Sequence, residues 1–259
     1  MILDDITAKK RLRLKEQKER LSLSDLIVAS EELTRSTKSL HAALTEGADT
    51  AIIAEVKKAS PSRGLIRPDF SHTEIAREYL KCDIQAMSVL TEEDFFLGSP
   101  NFLAEISEFS TVPLLRKDFI IDEYQIYEAY LLGADAILLI CAILDDSELE
   151  RFSALAKLLG MECLVETHDR DEVMRAAAVG ARIIGINNRN LYDFSEDIHT
   201  TEKLIKYLPR GAAAVSESSI KTAADLKYLA GIGADAVLIG EQFMRSGNIF
   251  KAVEEIRGR

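Results

Sequence analysis

The stretch that decides the fold reads Ile52-Ile53-Ala54-Glu55-Val56-Lys57-Lys58-Ala59-Ser60-Pro61-Ser62-Arg63-Gly64. Residues 51–56 are mostly apolar and β-branched, which is typical of a strand covered on both faces. Glu55 and Lys57 are two residues apart, so both side chains point to the same side of the strand. The run from Ser60 to Gly64 then ends regular structure and begins a loop. An α/β barrel presents its catalytic groups in this way, at the end of a strand that opens into a loop.

The Glu55–Lys57 pair has two interpretations. A carboxylate beside an ammonium group at the end of a buried strand can be a structural ion pair. It can equally be an acid–base pair whose pKa values are shifted by burial and by each other. This stretch alone does not decide between the two, because structural pairs also shift pKa values.

The rest of the chain repeats a strand followed by a helix. Strands are predicted at residues 51–56, 86–90, 112–116, 136–140, 162–165, 183–186, 213–216 and 236–239. Helices are predicted at residues 72–81, 100–109, 122–132, 145–159, 169–179, 200–207, 222–230 and 249–257. Strict alternation predicts a parallel sheet with right-handed crossovers. A repeated junction, in which Gly133, Gly180 and Gly233 each precede a buried strand, favours closure into a barrel. We therefore predict an α/β fold, a single (β/α)8 TIM barrel over residues 1–259 with an N-terminal helical extension.

Chain size and charge agree with this fold and limit the partners. The 259 residues are 47% hydrophobic and 29% charged, and (β/α)8 barrels routinely reach about 250 residues as one domain. A net charge of −11 disfavours nucleic acid and anionic membranes as partners. It still allows a phosphorylated small molecule, because a pocket can be locally basic. No apolar run approaches the about 20 residues of a membrane helix, and Met1 to Asp5 do not begin a signal peptide.

Cysteine and histidine spacing predicts no metal site. Cys82, Cys141 and Cys163 are widely spaced, and the four histidines form no His-x-x-x-His or His-x-His pair. Buried free thiols in the reducing cytoplasm are the expected state of the three cysteines.

Residues 5–46 precede the first strand and are predicted to be helical, with a further short helical piece at residues 40–44. Seven lysines and arginines lie between Lys9 and Arg20. These cations form either a solvated helix face or a flap that attracts a phosphate group to a pocket. A helix at residues 72–81 is expected to begin with Ser71 as its capping residue.

Polar side chains follow most of the predicted strands. In chain order these ends carry Glu55 and Lys57, Arg116-Lys117-Asp118, Glu166, Asn187-Asn188-Arg189, Ser216-Glu217-Ser218-Ser219, and Gly240-Glu241. Because the carboxyl ends of barrel strands meet at one mouth, we predict an active site there. Lysines and glutamates at one mouth suit proton transfer to and from a carbonyl compound. The second and fourth strands end in apolar Leu90 and Leu139, which could wall an aromatic ring together with Phe95, Phe96 and Phe119.

The ends of the seventh and eighth strands predict a phosphate site. Ser218, Ser219 and the amide of Gly240 lie where barrels usually bind phosphate.

Taken singly, several of these residues also have structural explanations. Glu166 could cap the next helix, Asn187 could satisfy loop backbone groups, and Ser218 could cap a helix. Lys117 could pair with Asp118 on the surface. Convergence on one mouth favours the functional interpretation.

Several segments together resemble the indole-3-glycerol phosphate synthases, which are (β/α)8 enzymes of tryptophan biosynthesis. The segments that carry the resemblance are residues 53–62, 88–99, 115–120, 184–191, 216–218 and 239–241. The resemblance implies ring closure in 1-(2-carboxyphenylamino)-1-deoxyribulose 5-phosphate, with release of carbon dioxide and water and formation of indole-3-glycerol phosphate. It implies no metal and no organic cofactor. It also implies that residues 1–48 are a helical extension over the barrel mouth. Separately from the resemblance, we expect a cytoplasmic protein that is a monomer or a weak homo-oligomer.

The resemblance also implies roles for individual residues. Lys117 matches the general acid that protonates the ketone, and Glu166 matches the group that handles later proton loss and dehydration. Lys57 matches a substrate-binding lysine that shares acid duty in dehydration. Further matches in the catalytic set are Glu55, Asn187 and Glu217. Substrate-binding matches are Ser60, Phe96, Phe119, Arg189 and Ser218, and phosphate-binding matches are Ser219, Gly240 and Glu241.

One position departs from the family pattern. The family usually has glycine after Glu-Ser, and this chain has Ser219. A serine keeps the backbone amide, but it resists a positive φ if the turn requires one. The acid–base residues are therefore better supported than the phosphate contacts.

Two other functions remain open from the residues alone. One is another phosphate-binding barrel, such as a phosphoribosylanthranilate isomerase, against which Lys57, Lys117 and Glu166 together argue. The other is a catalytically silent barrel that acts as a binding or scaffold subunit. Loss of one acid–base residue would favour the silent barrel, and the sequence shows no such loss.

Overall fold

Eight parallel strands close into a barrel in the computed structural model, which describes residues 2–190 and 193–259. The strands are β1 (Ala51–Val56), β2 (Ala86–Leu90), β3 (Leu114–Lys117), β4 (Ala136–Ile140), β5 (Glu162–Thr167), β6 (Ile183–Asn187), β7 (Ala213–Glu217) and β8 (Ala236–Ile239). Each strand pairs with its neighbours in sequence, and β8 closes the barrel by pairing with β1, for example Ile53 with Leu238. The predicted (β/α)8 barrel is confirmed. The segment at residues 184–191 that carried part of the resemblance ends at Leu191, outside the described residues.

Helices surround the barrel and precede it. They are α1 (Ile2–Arg20), α2 (Leu23–Glu32), α3 (Leu40–Thr45), α4 (His72–Tyr79), α5 (Pro100–Ser107), α6 (Glu123–Leu131), α7 (Asp146–Leu158), α8 (Arg170–Ala178), α9 (His199–Ile205), α10 (Ala223–Gly231), α11 (Glu241–Arg245) and α12 (Ile249–Arg257). A short 3₁₀ helix spans Cys141–Ile143, and Ala59–Ser60 pairs antiparallel with Gly64–Leu65 in the loop after β1. Helix α11 was not predicted from the sequence.

Several predicted boundaries were wrong by one or two residues. The third strand begins at Leu114 rather than at residue 112, and Pro113 before it has no N–H for the ladder. Strands β5, β6 and β7 run on to Thr167, Asn187 and Glu217, because each is still paired with its neighbour there. Glu166, Asn187 and Glu217 are therefore strand residues, held by backbone hydrogen bonds rather than by loops.

Helix starts and stops follow local side-chain chemistry. The predicted helical stretch at residues 5–46 is three helices, and Ser22 begins the second with a reciprocal capping box to Asp25. Ser71 occupies the N-cap position just before α4, but among the described residues its side chain makes no capping hydrogen bond, so the predicted side-chain cap was wrong.

Strand side chains alternate between two cores. Inward-facing residues such as Ile53, Leu115, Leu164 and Val215 fill the barrel, and Leu40 of α3 packs against them. Outward-facing strand residues pack against the helices in a second, larger core. This alternation leaves the last inward position of each strand to face the mouth at the carboxyl end.

The N-terminal helices divide between the two ends of the barrel. Ile2 and Ile6 of α1 line the cavity at the mouth. Leu40 of α3 instead joins residues such as Ala51 and Ala213 at the beginnings of the strands, at the opposite end. Helix α2 lies between them and packs on α6.

Candidate active site

Lys117 bridges two carboxylates at the mouth of the barrel. Its Nζ donates to Glu166 Oε2 at 2.8 Å and to Glu217 Oε2 at 3.0 Å. The side chains of Lys117, Glu166 and Glu217 are 14%, 5% and 3% exposed. An almost buried ammonium group is thus held between two acidic groups from two other strands, β5 and β7.

Strand periodicity explains why these side chains meet. Lys117 is two residues beyond inward-facing Leu115, and Glu166 is two beyond Leu164. Glu217 lies two residues beyond inward-facing Val215 in the same way. The three residues occupy the last inward position of β3, β5 and β7, so closure of the barrel brings them together.

Two glycines provide the space for the buried carboxylates. A Cβ at Gly185 on β6 would overlap Glu217 Oε1, and a Cβ at Gly240 after β8 would overlap Glu55 Oε2. Gly240 was predicted to bind phosphate, and its lack of a side chain also makes room for Glu55. Gly185 was missed by the sequence analysis, although a glycine inside a strand signals a close approach.

Glu55 and Lys57 form an ion pair at the end of β1, between Oε2 and Nζ. Both side chains line the same cavity as Lys117. The pair is therefore part of the Lys117 site rather than a separate structural contact.

The charges in this cluster shift one another's pKa values. Burial alone would lower the pKa of Lys117, but the carboxylates of Glu166, Glu217 and Glu55 outweigh burial and raise it above its ordinary value. Burial alone would raise the pKa of Glu166, but the Lys117 ammonium and His168 lower it well below its usual range. Burial raises the pKa of Glu217 to about 7, with Lys117 opposing and Glu166 adding to the rise. Glu166 is consequently the ionised carboxylate, and Glu217 is the carboxyl group that titrates near neutrality.

Glu166 has two further partners on its other oxygen. Asn187 Nδ2 donates to Glu166 Oε1 at 3.2 Å, and His168 Nε2 lies 3.4 Å from the same oxygen. Asn187 also accepts a hydrogen bond from the backbone N–H of Arg189, so the loop role considered for it is confirmed. His168 was missed by the sequence analysis, because nothing in the spacing of the histidines drew attention to it.

One cavity of about 220 Å³ is lined by every residue that was predicted to be catalytic, substrate-binding or phosphate-binding. The lining includes Glu55, Lys57, Ser60, Phe96, Lys117, Phe119, Glu166, Asn187, Arg189, Glu217, Ser218, Ser219, Gly240 and Glu241. The structure therefore brings all of them together, while their individual roles remain predictions.

An apolar wall completes the cavity. Phe96 and Phe119 lie with ring centroids 6.0 Å apart, and Leu90 lines the wall as predicted. Phe95 and Leu139, which were predicted to join the wall, are not among the residues that line the cavity, and Leu139 packs in the outer core. Leu138 and Ile140, on the inward face of the same strand, line the cavity instead. Together these side chains form an apolar surface that suits contact with an aromatic ring.

The chain matches a known family along almost its full length. A family model described as indole-3-glycerol phosphate synthase matches residues 3–256. A protein named indole-3-glycerol phosphate synthase from Acetivibrio thermocellus is 49% identical over 261 residues, which cover 99% of this chain and 99% of that relative. A relative of the same name from Clostridium acetobutylicum is 49% identical over 255 residues, covering 98% and 97%.

The chain belongs to the indole-3-glycerol phosphate synthase family. It is accordingly a carboxy-lyase of tryptophan biosynthesis that forms indole-3-glycerol phosphate, and its substrate is a phosphorylated small molecule. The family assignment decides against the phosphoribosylanthranilate isomerase alternative.

Solved structures share the barrel at much lower identity. A 3-hexulose-6-phosphate synthase from Salmonella typhimurium superposes with a TM-score of 0.64 at 17% identity, covering 81% of this chain and 97% of that one. An N-acetylmannosamine-6-phosphate 2-epimerase from Clostridium perfringens gives 0.63 at 14% identity, with coverage of 82% and 94%. At these identities the likeness shows the fold alone.

The turn after β7 contains Ser219, the residue at which this chain departs from the indole-3-glycerol phosphate synthase pattern. Ser218 and Ser219 have φ values of 65° and 66°, so the turn does require the left-handed region at the position where the family usually has glycine. Asn188 holds this turn, since its Nδ2 donates to Ser216 Oγ at 2.9 Å and to the carbonyl of Ser218 at 3.2 Å. Asn188 therefore supports the turn at the predicted phosphate site.

Arginines and carboxylates also pair with each other beside the cavity. Arg189 contacts Glu196 at 2.5 Å and donates to Ser62 Oγ at 3.2 Å. The carboxylate of Glu241 accepts from Arg63 at 3.1 Å and from Arg245 at 2.9 Å. Because a carboxylate repels phosphate, Glu241 can serve a phosphate through its backbone N–H and through the arginines that it holds.

The remaining structural alternatives for the site residues were wrong. Lys117 does not pair with Asp118 on the surface, because Asp118 is buried and paired with Lys10 and Arg116. The side chain of Asp169, not of Glu166, caps α8. The side chain of Thr222, not of Ser218, caps α10.

The solvated-face interpretation of α1 holds for four of its seven cations, since Lys9, Arg11, Lys15 and Arg20 are exposed, and the other three form ion pairs with the barrel. Lys10 is buried against Asp118, Arg13 pairs with Glu93 and Asp94, and Lys18 pairs with Asp122. The carboxylates belong to the segments that follow β2 and β3. These cations therefore fasten α1 to the mouth of the barrel.

The described residues contain neither a metal-binding cluster nor a membrane-spanning helix. Across residues 2–190 and 193–259, no three His, Cys, Asp or Glu side chains are grouped so that they could hold a metal ion. No helix within those residues is both long and apolar enough to cross a lipid bilayer.

Proposed function

We propose that Lys117, Glu166 and Lys57 carry the proton transfers of indole ring closure in this cavity. The observation that carries the proposal is the position of Lys117 Nζ, 2.8 Å from Glu166 and 3.0 Å from Glu217 at the centre of the mouth. An acid and a base within hydrogen-bond reach of each other can transfer protons to and from successive atoms of one substrate.

The first step is carbon–carbon bond formation. The ring carbon that bears the carboxylate attacks the ketone carbon of the sugar chain, and the Lys117 ammonium gives a proton to the ketone oxygen. The neighbouring carboxylates raise the pKa of Lys117, so it is charged and ready to donate when the substrate arrives. A positive charge at this point also stabilises the oxyanion that develops.

The second step is decarboxylation. The bond between the ring and the carboxylate breaks, carbon dioxide leaves, and the electron pair of that bond restores the aromatic ring. The cavity supports this step with an apolar wall of Phe96, Phe119, Leu138 and Ile140, because a poorly solvated carboxylate is lost more readily as neutral carbon dioxide.

The third step is dehydration. The hydroxyl group made in the first step takes a second proton and leaves as water, with Lys57 as the proposed donor. Glu166 takes a proton from the methylene carbon next to the nitrogen, which completes the indole. Two protons are delivered to oxygen and one is recovered from carbon, so each turnover takes up one proton.

Other residues are proposed to hold the substrate. Glu55 and Asn187 orient Lys57 and Glu166, respectively, through the contacts described above. Ser60, Arg189 and Ser218 are proposed to bind polar groups of the substrate, since all three line the cavity. The amides of Ser219, Gly240 and Glu241 are the proposed phosphate contacts.

We also propose how the whole chain works. Residues 1–259 act as one barrel unit, and the α1 part of residues 1–48 covers the mouth, which is supported by Ile2 and Ile6 at the cavity. The three free cysteines suit the reducing cytoplasm. A net charge of −11 favours a monomer or a weak homo-oligomer, because copies repel each other. Light scattering at low and high salt measures the oligomeric state.

A fluorescence assay with synthetic substrate tests the proposed chemistry. The natural protein should form indole-3-glycerol phosphate, and Lys117→Ala should lower turnover by about 10²-fold or more. Near-normal turnover of Lys117→Ala would refute its assignment as general acid. Absence of product from the natural protein would favour the silent barrel.

A further inference from the structure

Net proton uptake raises the question of how the proton reaches a buried site. The proposed reaction removes one proton from solvent in each turnover, yet Glu166 is only 5% exposed, and Lys117, at 14%, lines the cavity in which the substrate is proposed to bind. Ile2 and Ile6 of α1 line the same cavity. A path through protein groups would let the site recharge without opening the mouth.

A row of titratable groups leads away from Lys117 on the β5 side of the barrel. Lys117 Nζ lies 2.8 Å from Glu166 Oε2, and Glu166 Oε1 lies 3.4 Å from His168 Nε2. On the other side of the ring, His168 Nδ1 lies 3.1 Å from Glu172 Oε2. The side chains of His168 and Glu172 are each 15% exposed, compared with 5% for Glu166. The row therefore runs from the buried cluster towards solvent at the start of α8.

The local sequence holds His168 in this row. Glu172 accepts the backbone N–H of His168 at 2.7 Å as well as facing its ring, so both ends of the residue are tied to the first turn of α8. His168 Nε2 is buried and has no hydrogen-bond partner among the described residues, although it lies beside Glu166. A buried ring nitrogen without a partner other than the reacting carboxylate calls for an explanation.

We propose that His168 relays the proton that each turnover takes from solvent to the Glu166–Lys117 pair, with Glu172 accepting a hydrogen bond from whichever ring nitrogen faces the solvent side. This inference rests on the proposed function, since it assumes that Lys117 gives its proton to the substrate.

The relay is balanced in atoms and charge. The N–H bond at His168 Nε2 breaks and an O–H bond forms at Glu166 Oε1, so the imidazolium and the carboxylate both become neutral. Glu166 then passes its proton from Oε2 to the neutral amine of Lys117, which becomes an ammonium again. The ring keeps its Nδ1 proton, so it turns over to bring the bare nitrogen to the solvent side, where water protonates it. The proton that Glu166 later takes from the methylene carbon balances the one that Lys57 gives in the dehydration, so one proton in all comes from solvent.

The state of Lys117 sets the direction of transfer. While Lys117 is charged, it lowers the pKa of Glu166 and keeps that carboxylate ionised. Once Lys117 has lost its proton, this effect disappears and Glu166 becomes a better acceptor. Burial alone would lower the pKa of His168, but Glu166 and Glu172 raise it to about 10, so the ring carries its proton at neutral pH.

Chemical rescue of a His168→Ala variant tests the relay. We expect turnover to fall by about 10-fold or more with a change in KM below about threefold, as for loss of a proton-transfer group. Added imidazole should restore turnover in a concentration-dependent way, which a purely structural role would not predict. If His168→Ala keeps the natural turnover, or if imidazole fails to restore a lost one in the folded variant, the relay is wrong.

Further variants keep the test decisive. His168→Gln preserves much of the shape and polarity but cannot carry the proton, so it should lose turnover as His168→Ala does, and full turnover would overturn the relay. His199→Gln is the matched control, because His199 lies on α9 against Tyr228 and outside the cavity. The Lys117→Ala variant is measured alongside. If Lys117→Ala is inactive while the His168 variants are fully active, the relay fails and the proposed function stands.

Discussion

Lys10 on α1 forms an ion pair with Asp118 just after β3, with 2.7 Å between Nζ and Oδ1. The two side chains are 5% and 1% exposed. Asp118 also accepts from Arg116 at 3.1 Å and from the hydroxyl of Thr91 at 2.7 Å. Burial alone would raise the pKa of Asp118, but Lys10 and Arg116 outweigh burial and lower it. Because Asp118 follows Lys117 directly, this pair ties the N-terminal helix to the strand that carries the proposed general acid.

Replacing Lys10 should destabilise the protein. Breaking a buried ion pair typically costs about 3–5 kcal/mol, and Arg116 and Thr91 still satisfy part of Asp118 here. We therefore expect Lys10→Met to lower the free energy of unfolding by about 2–3 kcal/mol, measured by urea denaturation. Arg11→Met is the control, because Arg11 is exposed on the same helix. Equal losses for the two variants would mean that the buried pair does not fasten α1.

Neutralising Glu217 should trade activity for stability at high pH. A carboxyl group whose folded pKa is raised from 4.5 to about 7 reduces stability as the pH rises through that interval. Glu217→Gln has no such group. The difference between its Tm and the Tm of the natural protein should therefore be several degrees more positive at pH 8 than at pH 4.5. Turnover should fall, since Lys117 loses a partner. Differential scanning calorimetry of both proteins at the two pH values measures the effect, and a pH-independent difference would contradict it.

Returning residue 219 to glycine should stabilise the turn after β7. A non-glycine residue in the left-handed region costs about 1–2 kcal/mol, and Ser219 Oγ is buried without a hydrogen-bond partner among the described residues. We expect Ser219→Gly to raise the free energy of unfolding by about 0.5–1 kcal/mol. This gain is smaller than the relieved strain, because glycine makes the unfolded chain more flexible and so stabilises the unfolded state. KM should change by less than about threefold, because the backbone amide is retained. Ser219→Ala keeps the strain and removes only the unpartnered hydroxyl, so it should gain less than Ser219→Gly, and a gain of equal size there would exclude strain as the cause.

A methyl group at Gly185 should disturb the catalytic cluster. A Cβ there would overlap Glu217 Oε1 and lie 2.8 Å from Leu164 Cδ2, so Glu217 has to move. We expect Gly185→Ala to lower kcat/KM by about 10-fold or more, since small misplacements of a reacting group are costly. Gly247→Ala is the control, because no described atom lies within 4 Å of a Cβ at that position. A fully active Gly185→Ala would show that Glu217 is not held in place by the lack of a side chain at residue 185.

Much of the fold and of the site was predictable because strands carry a period of two. Glu55 and Lys57 were predicted to share one side of β1, and both line the cavity. The same rule gave no help on β4, where apolar residues occupy both faces, and Leu139 was wrongly placed in the cavity instead of Leu138 and Ile140. His168 was missed because its role depends on contact with Glu166 and Glu172 rather than on any pattern in the histidines.

The order of strands and helices, the barrel, and the set of polar strand ends are written in the sequence itself. They follow from side-chain periodicity and turn residues, which act over a few neighbouring positions. The tertiary structure alone decided which groups meet: Lys117 contacts carboxylates 49 and 100 residues further along the chain. It also decided that Glu217, rather than Glu166, has a pKa near 7. The physical reason is that burial and charge depend on distances that exist only after the barrel has closed.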